Sequence, residues 1–354
     1  MTRLHQSPKS LGYRWPAEWE RQQSVWLGWP HDASLWPIDL EPIWDVFADL
    51  IAELAAVQRV DLLVQNADVK SLAEARLAAA RKRRSAEAGD VAFHFIPTDD
   101  SWLRDTGPIF LNRRIDGLTD QAAVGFDFNG WGKFEPFDAD AKVAERIAEK
   151  SKTPFHQRRV ILEGGAVDGN GAGAVLTTES CLLNENRNAG MTKSDYESLL
   201  QECLNTRQLI WLAGGLFNDH TDGHVDVVSR FVGPTTVVSM WADDRNDPSR
   251  PILEENERRL KAVKIDDKPL RIVHLPLPDP VEFEGKRLAA GYANFVVANG
   301  LIIVPNYNCG ADASACKILE GLFPDRRVVG LRADELLKGG GAFHCLTQQQ
   351  PAVE

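Results

Sequence analysis

The chain has 354 residues, 44% of them apolar and 26% charged, enough to build a sizeable core without disulfides or a structural metal. Its net charge of −11 argues against nucleic acid or an anionic membrane as principal partner and suits a small cation. No signal-peptide core opens the sequence and no apolar run is long enough to span a bilayer. Five cysteines without CxxC spacing read as reduced thiols, so a cytoplasmic protein with no zinc framework is expected.

In chain order, the first predicted element is an apolar strand over residues 23–31, QSVWLGWPH. A helix follows in PIWDVFADLIAELAAV, where Ile43, Val46, Phe47, Leu50, Ile51 and Leu54 share one face. The strand VDLLVQ, the helix DVKSLAEARLAAARKRR and the strand VAFHFIP lead to the polar stretch DDSWLRDTGP. From there a pattern recurs: helix, strand, polar motif. DAKVAERIAEK and RRVIL precede EGG; KSDYESLLQECL and QLIWLAG precede HTDGHVD; ILEENERRLKAV and LRIVHLPL precede GYAN; ASACKILEGLF and RRVVGL precede GGGAFHC. The first four motifs each open a hairpin around a Gly, Asp or Pro turn, as in NFVVANGLIIVPNY.

Asp105, Glu163, His224, Asn294 and Cys345 hold equivalent places, spaced by 58, 61, 70 and 51 residues. The fifth unit stops at Cys345 without a returning strand, and the N-terminal strand has no repeat of its own. The expected fold is therefore α/β: a single domain over residues 1–354, forming a five-bladed, pseudo-symmetric α/β propeller whose ring the N-terminal strand closes. An open doubly wound sheet also alternates helices and strands, but the hairpins do not belong in a simple βαβ series. No GxGxxG or P-loop marks a nucleotide site.

The motifs supply the candidate chemistry. In SWLRDTGP, Arg104 and Asp105 stand beside Trp102; Glu163 ends an apolar strand before two glycines. In NDHTDGHVDVV, His220, Asp222, His224 and Asp226 alternate, so an extended backbone points all four to one face. That set suits either a divalent metal or a general acid–base histidine with a carboxylate partner. Cys345 is either a small buried hydrophobe or, approached through Gly341, a nucleophile. Together, a thiol, a histidine and several acids fit attack on a guanidinium, whose planar cation pairs with carboxylates. Trp29, Trp102 and Trp131 are candidates for an apolar slot beside it.

PAEWE, VWLGWPHD, WLRDTGP, LEGGAVDGNG, LTTESCLLNENRN, DGHVD, YANFVVANGLIIVP and GGGAFHCLTQQQPA together resemble the agmatine deiminase and bacterial peptidylarginine deiminase-like family of guanidino-group-modifying enzymes. The resemblance runs from about residue 13 to residue 352 and implies the five-bladed propeller. It implies Cys345 as nucleophile, His224 as proton shuttle, Asp105 and Asp226 as guanidinium-binding carboxylates, and Glu163 as the acid that orients the histidine. Trp102, Arg104, Trp29, Trp131, Asp222 and Gly341 are the candidate substrate contacts. No metal and no organic cofactor is implied.

The expected substrate is agmatine, giving N-carbamoylputrescine and ammonia in polyamine synthesis. Peptidyl-arginine is the alternative, and a non-catalytic guanidinium-binding protein a third reading. A homo-oligomer is compatible with the sequence. His220 stands where many members carry an acid, and Val227 where agmatine enzymes often carry Asn.

Overall fold

The repeating pattern of the sequence reappears as a repeating pairing of strands. The computed structural model describes residues 2–4, 6–85 and 89–353. Three-stranded sheets are built by Ile109–Ile115, Leu118–Asp127 and Phe155–Ile161; by Asp168–Gly169, Ala174–Thr178 and Gln208–Leu212; by Ser229–Gly233, Thr236–Trp241 and Arg271–Pro276; and by Val296–Ala298, Leu301–Asn306 and Arg327–Arg332. In each, the first two strands are an antiparallel hairpin and the third joins parallel. A parallel partner needs a crossover, which the intervening helix supplies. A four-stranded sheet follows the same rule with its hairpin made across the chain ends. Gln348–Pro351 lies antiparallel to Gln22–Gly28, and Arg59–Val64 and Val91–Phe95 extend it in parallel.

Local chemistry accounts for these elements. The hairpin between Ile115 and Leu118 turns at Asp116 and Gly117, both at positive φ, the signature of a two-residue type I′ turn. The helix Lys193–Leu204 begins with a reciprocal capping box between Thr192 and Asp195. The helix Leu40–Ala55 buries Ile43, Phe47, Leu50, Ile51 and Leu54 together with Val25, Leu27 and Leu62 of the four-stranded sheet. No helix among the described residues is long and apolar enough to cross a membrane.

Two expectations need correction. The fifth unit does not stop at Cys345 without a returning strand: Thr347 adopts an extended backbone, and Gln348–Pro351 returns as the strand that pairs with Gln22–Gly28. The stretch from His220 to Asp226 is not extended. Asp222 and Gly223 take positive φ, and Val225–Val227 form a 3-10 turn. Thr178 and Ser180 hydroxyls donate to the Gly223 and Asp222 carbonyls and fix this bend, so the four alternating side chains diverge.

Arg104 makes the returning strand indispensable. Its fully buried guanidinium donates to the side-chain oxygens of Gln348 and Gln349 at 2.8 and 2.7 Å. Truncation after Thr347 removes both acceptors and bares the edge of Gln22–Gly28. An unpaired buried charge alone costs about 3–5 kcal/mol. We expect this truncation to abolish the cooperative unfolding transition, as followed by circular dichroism in urea. Removal of residues 350–354 only should leave a cooperative transition.

Candidate active site

The five equivalent polar residues all sit where a strand or loop turns sharply. Asp105 lies in the helical turn Leu103–Thr106, Glu163 caps the turn Gly164–Ala166, and His224 precedes Val225–Val227. Asn294 leads into the strand Val296–Ala298, and Cys345 lies in the turn Phe343–Leu346. All five side chains are buried.

Gly165 shows where they meet. A Cβ added there would stand 2.6 Å from His224 Nδ1, 2.8 Å from Asp105 Oδ1 and 3.2 Å from Asp226 Oδ2. Only glycine leaves room for these three groups to face one space. Its own N–H donates to Asp105 Oδ1 at 2.9 Å, and Trp131 Nε1 donates to Oδ2 at 2.9 Å. His224 Nδ1 is 3.8 Å from Asp105 Oδ1. Both ring nitrogens of His224, Glu163 Oε2 and Asp226 Oδ1 are buried without a hydrogen-bond partner. Buried polar atoms are rarely left so, which marks this space as one shaped for something else.

Cys345 borders the same space. Its Sγ is 3.8 Å from Asp226 Oδ2 and accepts from Asn294 Nδ2 at 3.1 Å, while Asn294 Oδ1 takes the backbone N–H of His344. Gly341 lets the chain pass: a Cβ there would lie 2.7 Å from the Trp102 ring and 3.1 Å from Cys345 Cβ. Burial, with the Asp226 and Asp105 carboxylates, pushes the thiol well above its usual range; the Asn294 bond pulls it partly back. Burial also pushes Asp105 up to about 6, with His224 opposing and Asp226 and Glu163 adding. Burial disfavours a charged His224, yet Asp105, Cys181 and Glu163 hold it well above the ordinary value.

Two buried networks set the walls. His344 places Nδ1 2.7 Å from Asp226 Oδ2 and Nε2 2.9 Å from Glu18 Oε2. Glu18 also meets Arg230, which reaches Asp168 Oδ1 at 2.6 Å. Burial raises Asp226, but His344 outweighs it and holds the carboxyl below its usual range. On the other side Arg187 donates to Glu163 Oε1 at 2.5 Å, to the Trp131 carbonyl at 2.7 Å, to Asp222 Oδ2 at 2.9 Å and to the Thr221 carbonyl at 3.1 Å.

Outside this space lies a cavity of about 270 Å³ walled by Trp102, Phe128, Trp131, Phe137 and His220. Asp100 accepts from Trp102 Nε1 at 2.9 Å and lines it too. Trp102 stacks on Trp36, and Trp131 meets Phe128 edge to face.

The structure therefore brings together Asp105, His224, Asp226 and Cys345, with Glu163 behind and Trp102, Trp131 and Gly341 at the approach. It sets three candidates apart. Trp29 is buried against Phe47 and does not line the cavity. Arg104 is spent on the C-terminal strand. Asp222 is taken by Lys133, Asn186 and Arg187 and buttresses the wall. Val227 is core, against Gly291. Glu18, Arg187 and Cys181 were not legible as site residues, and Asn294 only as a place in the repeat. Cys181, Glu163 and His224 put ligand-type atoms within 4.8 Å of one another, the one such group among the described residues.

The profile of the Porphyromonas-type peptidyl-arginine deiminase family matches residues 14–351. An agmatine deiminase of Ectopseudomonas mendocina is 36% identical, over 100% of both chains. One of Pseudomonas fluorescens is 35% identical, again over 100% of both. The solved structure of an agmatine deiminase of Enterococcus faecalis superposes with a TM-score of 0.91 at 28% identity, covering 99% of each chain.

The Arg187–Glu163 pair gives a stability test. Both side chains are fully buried, so Arg187→Met leaves a buried carboxylate unpaired, at a cost of about 3–5 kcal/mol. The double variant Arg187→Met/Glu163→Gln should recover more than half of that loss in urea unfolding.

Proposed function

The chain belongs to the Porphyromonas-type peptidyl-arginine deiminase family, and from that premise we propose that it is an agmatine deiminase. The observation that carries the reading is the convergence of Asp105, His224, Asp226 and Cys345 on the space kept open by Gly165. Two carboxylates there suit the nitrogens of a guanidinium, and the thiol lies at its edge. In this reading Asp105 and Asp226 hold the cation and Cys345 is the nucleophile. His224 is the proton shuttle, and Glu163, fixed by Arg187, orients it.

The electrostatics support a sequence of steps. Burial and two carboxylates favour the neutral thiol before substrate binds. A guanidinium bound to those carboxylates cancels their effect and adds a positive charge beside the sulfur, which favours the thiolate; the thiol proton passes to solvent, where it later converts the released ammonia to ammonium. The sulfur attacks the central carbon, forming a C–S bond. His224 delivers a proton to one unsubstituted nitrogen, and the C–N bond breaks to release ammonia. An amidino thioether remains. His224, now neutral, takes a proton from water; the hydroxyl adds to the same carbon, the C–S bond breaks, and the ureido product and thiol are formed. The net reaction converts guanidinium and water to urea-type product and ammonium. No step calls on a metal or an organic cofactor.

The substrate is small and cationic in this reading. The aromatic cavity past Trp102 and Trp131 has room for a short alkyl tail, and Asp100 offers its end a carboxylate. The same reading takes the chain as one domain whose five sheets are propeller blades. The repeated hairpin-plus-parallel arrangement supports this, as does the pairing of Gln22–Gly28 with Gln348–Pro351.

Ammonia and ureido-product release should be greater, as kcat/KM, for agmatine than for arginine or an arginine peptide; a peptide preferred over agmatine would overturn the substrate assignment. Cys345→Ala should lower turnover by up to about 10⁶-fold, the scale for a lost nucleophile. The pH profile follows from Asp105. Burial pushes its carboxyl up to about 6, so it loses the charge that holds the cation as pH falls through that value. We expect kcat/KM to drop on the acid side of about pH 6. Asp105→Asn should be about 10²–10³-fold slower and lack that limb.

A further inference from the structure

One buried thiol has no part in the deiminase chemistry. Cys181 lies in the helical turn Glu179–Leu182, fully buried, with its thiol turned to the back of His224. Glu163 faces the same point. Arg187 holds its Oε1, while Oε2 is buried and unpartnered. The Cys181 thiol lies close enough to the His224 ring to interact with it as a hydrogen-bond donor, though neither ring nitrogen is satisfied at full hydrogen-bond geometry. The three ligand-type atoms lie within 4.8 Å of one another. A carboxylate oxygen, a thiol and an imidazole nitrogen are the donor set of a borderline-soft divalent ion, zinc(II) above all.

We propose that Glu163, Cys181 and His224 form an inhibitory binding site for zinc(II) or a cation of the same class. Zinc bonds of about 2.0–2.3 Å draw the ligand atoms closer than they now stand, an adjustment of about 1 Å for side chains already facing one another. Binding forms Zn–S, Zn–N and Zn–O bonds and displaces two protons to solvent, one from the Cys181 thiol and one from the bound nitrogen of the His224 imidazolium. Hard cations such as magnesium, which seek six oxygen ligands, do not fit. The inhibition rests on the reading of His224 as proton shuttle, since an imidazole with a metal on one nitrogen cannot take up the second proton that makes it an acid. The binding itself does not rest on it.

Cobalt(II) is the spectroscopic probe. Titration of chelator-treated protein should give a thiolate-to-cobalt charge-transfer band in the near ultraviolet that saturates at one equivalent and is displaced by zinc. The band should persist in Cys345→Ala and vanish in Cys181→Ser, with Cys181→Ala as a second variant should the first fail to fold. Zinc should inhibit agmatine turnover, and Cys181→Ser should need at least about tenfold more of it, the scale on which altered metal surroundings change affinity. A band lost in Cys345→Ala but kept in Cys181→Ser places the metal on the other thiol and overturns the proposal. Turnover that zinc restores after chelation also overturns it. If agmatine is not turned over at all, the cobalt band still tests the site, so the two readings fail separately.

Discussion

The structure depends on how it neutralises the five carboxylates sealed in and behind the candidate site. Glu18, Asp105, Glu163, Asp168 and Asp226 are all buried, and a buried charge is tolerated only when paired. Arg230 serves Glu18 and Asp168, Arg187 serves Glu163, and His344 bridges Asp226 to Glu18. Asp105 alone receives only neutral donors at close range, from Trp131 and Gly165, with His224 farther off at 3.8 Å. It is also the member of the facing pair whose carboxyl is pushed up rather than down. Asp105 and Asp226 thus face the space beside Cys345, one carboxylate held by a histidine and the other by neutral donors alone. In the proposed reading a guanidinium is the cation that meets both.

This accounting explains why the chain ends must meet. Glu18 arrives from the N-terminal segment and His344 and Cys345 from the last turn. The strands Gln22–Gly28 and Gln348–Pro351, hydrogen-bonded to each other, hold both ends in register. Gln22 adds a second tie, donating to the Glu18 and Val297 carbonyls at 2.9 and 2.8 Å. Cys345 is therefore supported on both sides of its turn, through Asn294 and through the strand pairing that follows it.

Much of this was legible beforehand because it is periodic. Apolar residues at helical spacing and hairpins with Asp–Gly or Asn–Gly turns are local signals, and they placed the helices and strands closely. The polar residue after each strand stood out against apolar surroundings, which singled out Asp105, Glu163, His224, Asn294 and Cys345. What stayed hidden was tertiary. Nothing local distinguishes Arg187 in NENRN from a surface arginine, or Glu18 in PAEWE from a surface acid; only distant partners make them buried charges. Alternation misled at HTDGHVD because period 2 assumes an extended backbone, and Asp222 and Gly223 at positive φ break it. Trp29 and Trp131 look alike in sequence. Trp131 takes a positive φ that turns its indole N–H onto Asp105, whereas Trp29 packs on Phe47.

The central claim is that Cys345 carries the substrate's carbon during turnover. Rapid mixing with agmatine, acid quench within a single turnover and peptide mass spectrometry test it directly. The account predicts that the peptide containing Cys345 transiently carries agmatine less one ammonia, with the other four cysteines unmodified. Full turnover with no adduct at any quench time, or an adduct on a different cysteine, would contradict it.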